Sequence, residues 1–363
     1  MGFNCGIVGL PNVGKSTLFN ALTQTAAAQA MNYPFCTLEP NVGRVGVADP
    51  RLHKLAEIAA SMKIIPTQLE VVDIAGLIKG ASNGEGLGNQ FLGHIRNTNA
   101  ILHMVRCFSD ADITHVHGKI DPVYDIEVVE MELMLADIEN LYKKESSLAK
   151  KDNPEFQMER AFLNKAIGWL ESGNLLEQLS ITEEEQIFAN TLHLISIKPV
   201  MYVCNVSEND LVTGNDFTKM VQKFARSRNA SVVLVSAAVE AEIALIQDKV
   251  ERNEYLKSLG LEESGLDRVV RGGYGLLKLI TFFTCGPEET HAWTAVAGSK
   301  APAAAGIIHS DFERGFICAE VIGYDDYTSC CGEAKARAAG KMRLEGREYV
   351  ISDGDVIHFR FNV

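Results

Sequence analysis

The 363-residue chain lacks long apolar runs, paired cysteine motifs and any excess of positive charge. No apolar run reaches the roughly 18 residues that a membrane-spanning helix needs, and no secretory signal precedes the first predicted strand. The eight cysteines form no C-x-x-C pair and no Cys/His spacing typical of a metal site, so we expect reduced thiols. The net charge of −13 excludes general attraction to nucleic acid or anionic membranes. We therefore expect a soluble, cytoplasmic, monomeric protein with no membrane association.

Apolar residues make up 47% of the chain, enough for more than one hydrophobic core. At this length two or three domains are expected. Short β-branched runs alternate with helical patterns in the first third of the chain and again near residues 200–280. This alternation predicts an α/β fold with a doubly wound, mainly parallel sheet. The predicted strands are 4–9, 44–48, 69–73, 101–107, 200–205 and 231–236.

Two regions break the α/β rhythm. Between 127 and 196, apolar residues recur at helical spacing, and the TEEE sequence at 182–185 is a capping box. We predict an inserted helical domain built on an antiparallel, coiled-coil-like pair; two ordinary crossover helices are the alternative. After residue 278, strands separated by Gly- and Ala-rich turns predict a small α+β domain. The predicted division is therefore 1–126 with 197–277, then 127–196, then 278–363.

The sequence GLPNVGKS at 9–16 matches the phosphate-binding pattern G-x-x-x-x-G-K-[ST] at every fixed position. It follows a predicted strand and precedes a predicted helix, which is the context that distinguishes the motif from a chance Gly-rich turn. Backbone N–H groups and the helix N-terminus can then bind phosphate. Lys15 can reach the β- and γ-phosphates as a catalytic cation, and Ser16 can ligate Mg²⁺. The predicted nucleotide-binding residues of the loop are Asn12, Val13, Gly14, Lys15, Ser16 and Thr17.

The sequence DIAG at 73–76 ends another predicted strand, as expected for a second motif of the same site. Asp73 can hold Mg²⁺, and the N–H of Gly76 can contact the γ-phosphate during catalysis. Thr37 lies in the segment after the first helix, where a hydroxyl can complete the Mg²⁺ coordination. Ser16, Thr37 and Asp73 are therefore the predicted metal ligands, although a lone loop threonine has no such role in most proteins.

A third motif, NVSE at 205–208, stands where guanine-specific enzymes carry N-K-x-D. Val206 replaces the lysine that packs on the base, and Glu208 carries its carboxylate one methylene farther out than aspartate. We infer a loss of strict guanine discrimination, with ATP preference as a further step. Ser236 and Ala237 follow the next strand and are the predicted second base-side loop. The predicted base-side residues are therefore Asn205, Val206, Glu208, Ser236 and Ala237.

These motifs, together with YPFCTLEPNVG at 33–43 and DIAGLIKGASNGEGLGN at 73–89, resemble the Obg-like ATPase (YchF) branch of the Obg family of P-loop NTPases. The resemblance covers essentially the whole chain. It implies a P-loop NTPase (G) domain, an inserted helical domain and a C-terminal TGS domain with a ubiquitin-like α+β fold. It also implies Mg²⁺-dependent ATP hydrolysis, secondary GTP binding, and a ribosome or ribosomal RNA as partner.

The residue that positions the attacking water is not evident from the motifs. Leu77 follows Gly76 where related enzymes have a glutamine, and leucine has no hydrogen-bonding group. The resemblance favours His115 as the catalytic group; a surface histidine, or half of a metal site with His117, are the alternatives. In related enzymes a P-loop Asn helps to coordinate K⁺, so Asn12 is either a K⁺ ligand or an ordinary loop residue.

The densest basic cluster lies at 333–347, where five Lys or Arg face two Glu. It is a candidate RNA-backbone contact or a solvated charged face. The sequence thus predicts an Mg²⁺-dependent ATPase whose nucleotide state is coupled to a ribosome or RNA. The alternatives are a GTP-selective switch and an RNA-binding module that binds nucleotide without appreciable turnover. The basic residues of the cluster are Lys335, Arg337, Lys341, Arg343 and Arg347.

Overall fold

The computed structural model describes residues 3–30, 42–74, 87–149 and 156–362, which divide into two compact units. Within those ranges, the first unit comprises 3–28, 42–44 and 70–273, and the second comprises 29–30, 45–69 and 274–362. Gly76 and Thr37 lie outside the described residues.

The first unit is built on a six-stranded sheet, and the predicted α/β fold class is confirmed. The first seven strands of the chain are β1 (Asn4–Val8), β2 (Val42–Gly46), β3 (Lys63–Ile65), β4 (Gln68–Asp73), β5 (Ala100–Arg106), β6 (Val200–Asn205) and β7 (Ser231–Val235). The sheet order is β2-β4-β1-β5-β6-β7, and the pairs from β4 to β7 are parallel. Because parallel strands end at one edge, β1, β4, β5 and β6 carry the loops that follow them to the same side.

Helices follow most of these strands. The helices along this part of the chain are α1 (Lys15–Ala30), α2 (Pro50–Ala59), α3 (Leu87–Arg96), α4 (Pro122–Ala149), α5 (Gln157–Glu171), α6 (Glu183–Thr191), α7 (Asp216–Ser227), α8 (Ala237–Leu245), α9 (Lys249–Ser258) and α10 (Gly265–Leu276). Short 3₁₀ turns occur at Leu176–Gln178 and Glu208–Asp210. None of the helices in the described ranges is long and apolar enough to cross a bilayer.

The predicted helical insertion consists of α4, α5 and α6. Tyr142 donates a hydrogen bond to Glu171 (2.6 Å), and Arg160 donates one to the carbonyl of Leu148 (3.1 Å). Because the later residue of α4 meets the earlier residue of α5, the two helices are antiparallel. The predicted capping box at Thr182 is present. One detail differs from the predicted bounds, since α4 begins at Pro122; the insertion lies in the same compact unit as the sheet.

The second unit is an α+β structure. Its strands are β3 with β8 (Leu279–Cys285), β9 (Glu289–Val296), β10 (Phe316–Gly323), β11 (Arg343–Glu345) and β12 (Asp355–Phe361), in the order β11-β10-β12-β8-β9-β3. Antiparallel pairs dominate, but β12–β8 and β3–β9 are parallel. Its further helices are α11 (Ala301–Ile308), α12 (Ser310–Arg314), α13 (Tyr324–Ser329) and α14 (Glu333–Ala338).

Residues 45–69 belong to this second unit, whereas the sequence analysis assigned them to the nucleotide-binding domain at 1–126. The strand β3 pairs with β9, and Leu52 and Leu55 of α2 share a buried cluster with Phe283 of β8. The guanidinium of Arg51 bridges Asp49 and Asp353. The apolar face of α2 is therefore buried by the C-terminal sheet, which no local sequence pattern indicates.

Candidate functional site

The loop between β1 and α1 has two glycines that no other residue could replace without strain. Gly9 has φ of 154°, and a Cβ there would lie 2.4 Å from the carbonyl oxygen of Met104. Gly14 has φ of 99°, and its Cβ would lie 2.5 Å from Nδ2 of Asn205. The close approach of the loop to β5 and β6 therefore depends on glycine at both positions.

Lys15 is held inside this loop. Its Nζ donates hydrogen bonds to the carbonyl oxygens of Gly9 (2.9 Å) and Leu10 (2.6 Å), and the residue is 7% exposed. Burial lowers the pKa of Lys15 to about 8, and the nearby charge of Asp73 opposes that shift. The loop thus holds a desolvated cation at the position where the motif places phosphate.

Asp73 ends β4 beside Ile7 of β1, at the edge of the sheet from which the Lys15 loop emerges. Burial raises the pKa of the Asp73 carboxyl, and the charge of Lys15 opposes this rise. Its Oδ1 is buried and has no hydrogen-bond partner among the described residues. A carboxylate oxygen left without a partner fits a divalent cation, and Ser16 in the first turn of α1 can supply a hydroxyl ligand.

No three His, Cys, Asp or Glu residues in the described ranges come together as a metal cluster. Mg²⁺ in nucleotide sites needs only one or two protein oxygens, because phosphate and water supply the other ligands. The second interpretation of His115 and His117, as half of a metal site, finds no third ligand in the same part of the chain.

Asn205 joins the phosphate loop to the predicted second base-side loop. Its Nδ2 donates to the carbonyl of Val13 (2.9 Å), and its Oδ1 accepts from the N–H of Ala237 (3.0 Å). Val206 is buried, and its N–H donates to the carbonyl of Val235 (2.8 Å). Ser236 is buried too. Of the predicted base-side residues, Glu208 has an exposed side chain in its 3₁₀ turn.

The loop after β5 carries His115, and Arg106 organises its first part. The buried guanidinium of Arg106 donates to the carbonyl oxygens of Phe108 (3.3 Å), Asp110 (3.2 Å) and Ile113 (3.0 Å). No sequence signal marks Arg106, since a basic residue at the end of an apolar strand has no distinctive spacing. The loop is therefore held by side-chain contacts rather than by regular secondary structure.

Asn12 connects the phosphate loop to the His115 loop. Asn12 has φ of 61°, and its Nδ2 donates to the carbonyl of Thr114 (3.2 Å). His115 itself is packed inward: Nε2 lies 2.8 Å from Oδ2 of Asp125, and Nδ1 accepts from the N–H of His117 (3.2 Å). His115 thus follows directly after a residue that is hydrogen-bonded to the phosphate loop. Both ring nitrogens of His115 are themselves hydrogen-bonded.

The predicted basic cluster at 333–347 is largely neutralised by carboxylates, three of which come from other elements. Arg337 pairs with Glu320 and Glu333, Lys341 pairs with Asp326, and Arg343 pairs with Glu345 and Asp355. Lys335 and Arg347 have no carboxylate partner within the described ranges. The net positive charge of the folded surface around this cluster is therefore much smaller than the count along the sequence.

Comparison with known proteins gives matches over the whole chain. A family model for 50S ribosome-binding GTPases matches residues 4–141, and a model of a domain of unknown function, the C-terminal domain of YchF GTPases, matches residues 279–362. The ribosome-binding ATPase YchF of Bacillus subtilis (strain 168) is 52% identical over 100% of both chains, and that of Escherichia coli O157:H7 is 51% identical with the same coverage. The solved structure of the Schizosaccharomyces pombe YchF GTPase is similar with a TM-score of 0.89 and 37% identity, covering 99% of this chain and 98% of that one.

Proposed function

The chain belongs to the YchF family, and we propose that it is a Mg²⁺-dependent P-loop ATPase that prefers ATP to GTP and couples its nucleotide state to a ribosome. The observation that carries this proposal is that a buried Lys15 and a buried Asp73 oxygen without a hydrogen-bond partner among the described residues lie at the same sheet edge. A cation for phosphate and an oxygen for a metal are the two groups that phosphoryl transfer requires from this loop.

Each described residue of the site has a role in this proposal. Lys15 and the loop N–H groups of 12–17 bind the phosphates, while Ser16 and Asp73 hold Mg²⁺. When bound, Mg²⁺ supplies charge neutralisation at the β- and γ-phosphate oxygens. Thr37 and Gly76, outside the described residues, keep their proposed roles as metal ligand and γ-phosphate contact.

The ATP preference rests on the base side. Val206 is buried and cannot stack on a base as the lysine of N-K-x-D does, and Asn205 is committed to main-chain partners at both ends of its amide. Base choice then falls to Glu208 and to backbone groups. A carboxylate at Glu208 would repel the lone pair of adenine N1, so we propose that the adenine 6-amino group donates to backbone carbonyl oxygens instead, which gives a preference for ATP with residual GTP binding.

We propose that His115 positions the attacking water, because the side chain of Leu77 cannot form a hydrogen bond. Asn12 is the proposed K⁺ ligand, and the hydrogen bond from its Nδ2 to the carbonyl of Thr114, next to His115, supports a role close to the hydrolytic water. Exchange of K⁺ for Na⁺ should then slow hydrolysis without weakening ATP binding. Equal turnover in the two salts would leave Asn12 with its role as a loop contact alone.

The ribosome is proposed as partner because the curated relatives are named ribosome-binding ATPases. Such a partner implies a cytoplasmic protein. In the C-terminal unit, Lys335 and Arg347 are the members of the basic cluster available for phosphate contacts, since the other three are paired with carboxylates.

The proposal is tested by measuring affinity and turnover for ATP and GTP, with and without ribosomes. We expect tighter ATP binding, turnover that requires Mg²⁺, and loss of turnover in Asp73→Asn with the fold retained. GTP binding tenfold tighter than ATP, about 1.4 kcal/mol, would favour the GTP-selective switch. Tight nucleotide binding without turnover under any condition would favour the nucleotide-ordered binding module.

A further inference from the structure

The contacts of His115 identify which ring nitrogen carries the proton. Nδ1 lies 3.2 Å from the main-chain N–H of His117, so Nδ1 is the acceptor. Nε2 then carries the hydrogen and donates it to Oδ2 of Asp125 at 2.8 Å. The two side chains are only 7% and 5% exposed, so water competes little for this hydrogen bond.

The carboxylate that accepts this hydrogen bond, Asp125, is buried from water. It lies in the first turn of α4, where its N–H donates to the carbonyl of Asp121 (2.9 Å). Its second oxygen, Oδ1, is buried without a hydrogen-bond partner among the described residues. Burial raises the pKa of Asp125, and the hydrogen bond from His115 opposes that rise. Among the described residues His115 is the side chain that hydrogen-bonds to this carboxylate, and buried carboxylates with perturbed pKa values occur often at functional sites.

The His115 loop is fixed on both sides. Upstream, Arg106 binds three carbonyl oxygens of residues 108–113, and Asn12 of the phosphate loop binds the carbonyl of Thr114. Downstream, Asp125 holds the ring of His115. The backbone beside His115 therefore stays next to the phosphate loop, while the ring itself is held by Oδ2 of Asp125 and by the N–H of His117.

We propose that Asp125 is the positioning residue for His115: it accepts from Nε2–H and so keeps Nδ1 as the acceptor for the attacking water. This inference rests on the proposed function, because His115 acts on water only if the chain hydrolyses ATP. In the reaction, the water oxygen bonds to the γ-phosphorus and the bond to the bridging oxygen of ADP breaks. Nδ1 gives up its hydrogen bond from the His117 N–H and accepts one from the attacking water; one hydrogen of the water stays on the oxygen that bonds to phosphorus and the other passes to a phosphate oxygen, so both end on inorganic phosphate.

A double-mutant cycle tests whether Asp125 acts through His115. Steady-state kcat and KM for ATP are measured for His115→Ala, Asp125→Ala and the double variant, each with its unfolding temperature. We expect His115→Ala to lower kcat by about 100-fold and Asp125→Ala by about 10-fold or more, with KM changed less than about twofold. The double variant should match His115→Ala, and Asp125→Glu should recover part of kcat. Glu127→Ala, an exposed carboxylate on the same helix, is the control and should match the wild type.

Asp125→Asn keeps the side-chain volume and repeats the cycle if Asp125→Ala does not fold. A double variant slower than His115→Ala by the full factor of the Asp125 change would overturn the proposal, because the effect would not pass through the imidazole. Wild-type kcat in Asp125→Asn and Asp125→Ala would overturn it as well. If ATP is hydrolysed at the wild-type rate by His115→Ala, this inference fails and the ATPase proposal stands. If the wild type hydrolyses no ATP even with ribosomes, the proposed function fails and this inference with it.

Discussion

Helix α2 offers a direct test of the division of the chain into two units. Asp49 caps this helix by accepting from the N–H of Arg51, Pro50 occupies its first turn, and Leu52 and Leu55 form its apolar face. Leu55 is 0% exposed and belongs to a cluster with Phe283 of β8. We predict that Leu55→Ala destabilises the C-terminal sheet, even though residue 55 lies in the sequence between two strands of the nucleotide-binding sheet.

The size of the effect follows from the burial. Replacing a fully buried leucine by alanine removes transfer free energy and leaves a cavity, at a cost of about 2 to 5 kcal/mol. Amides that exchange by opening of the C-terminal unit should then exchange roughly 30-fold to several-thousand-fold faster. Hydrogen exchange read by mass spectrometry on peptides from β8, β9 and β12 measures this, while ATP affinity should stay within about twofold.

Leu245→Ala is the matched control, since Leu245 on α8 is 71% exposed and its truncation should leave exchange unchanged. If Leu55→Ala instead increases exchange in β5 and β6 and leaves β8 protected, the reasoning is refuted. Residues 45–69 would then draw their stability from the nucleotide-binding sheet, as the sequence analysis assumed.

Three further predictions follow from the described contacts. Gly14→Ala should cost about 1 to 3 kcal/mol and weaken nucleotide binding, because its Cβ would meet Nδ2 of Asn205; calorimetry with a non-hydrolysable ATP analogue measures the loss, and full affinity would contradict it. Burial lowers the pKa of His291 to about 4, so the unfolded state binds more protons below pH 6.5 and stability should fall as pH drops from 6.5 to about 4; His291→Gln should flatten this part of the unfolding profile, and an unchanged profile would exclude the assignment. Reversal of Lys335 and Arg347 to Glu should weaken ribosome co-sedimentation and its salt dependence more than reversal of two ion-paired members of the cluster, whereas equal effects would indicate that the ion pairs open on binding.

The features that sequence predicted well are those set by local pattern. The phosphate loop and the parallel strands follow from glycine spacing and apolar runs, and β6 lies at 200–205 as predicted. The observed bounds of the other five strands of that sheet lie within two residues of the predicted ones. The capping box at Thr182 is equally local, because its donors and acceptors are three residues apart.

The features that sequence did not predict depend on partners far along the chain. Strand β3 has three residues and is ordered by pairing with β9, more than two hundred residues later. Arg106 binds carbonyl oxygens, which every residue has, so no residue type marks its role. The net charge of the basic cluster is summed along the chain in the prediction, but carboxylates such as Glu320 and Asp355 pair with it from other strands.

The position of Asn205 explains how the third motif can change without disturbing the phosphate site. Its side chain bridges Val13 of the phosphate loop and Ala237 of the next loop, so it acts on the shape of the site through the main chain. Positions 206 and 208 make no such bridge: Val206 packs in the core and Glu208 is exposed. We therefore expect substitutions at these two positions to alter base contacts while the geometry around Lys15 is preserved. For this reason the altered motif argues for a change in base preference rather than for a loss of nucleotide binding.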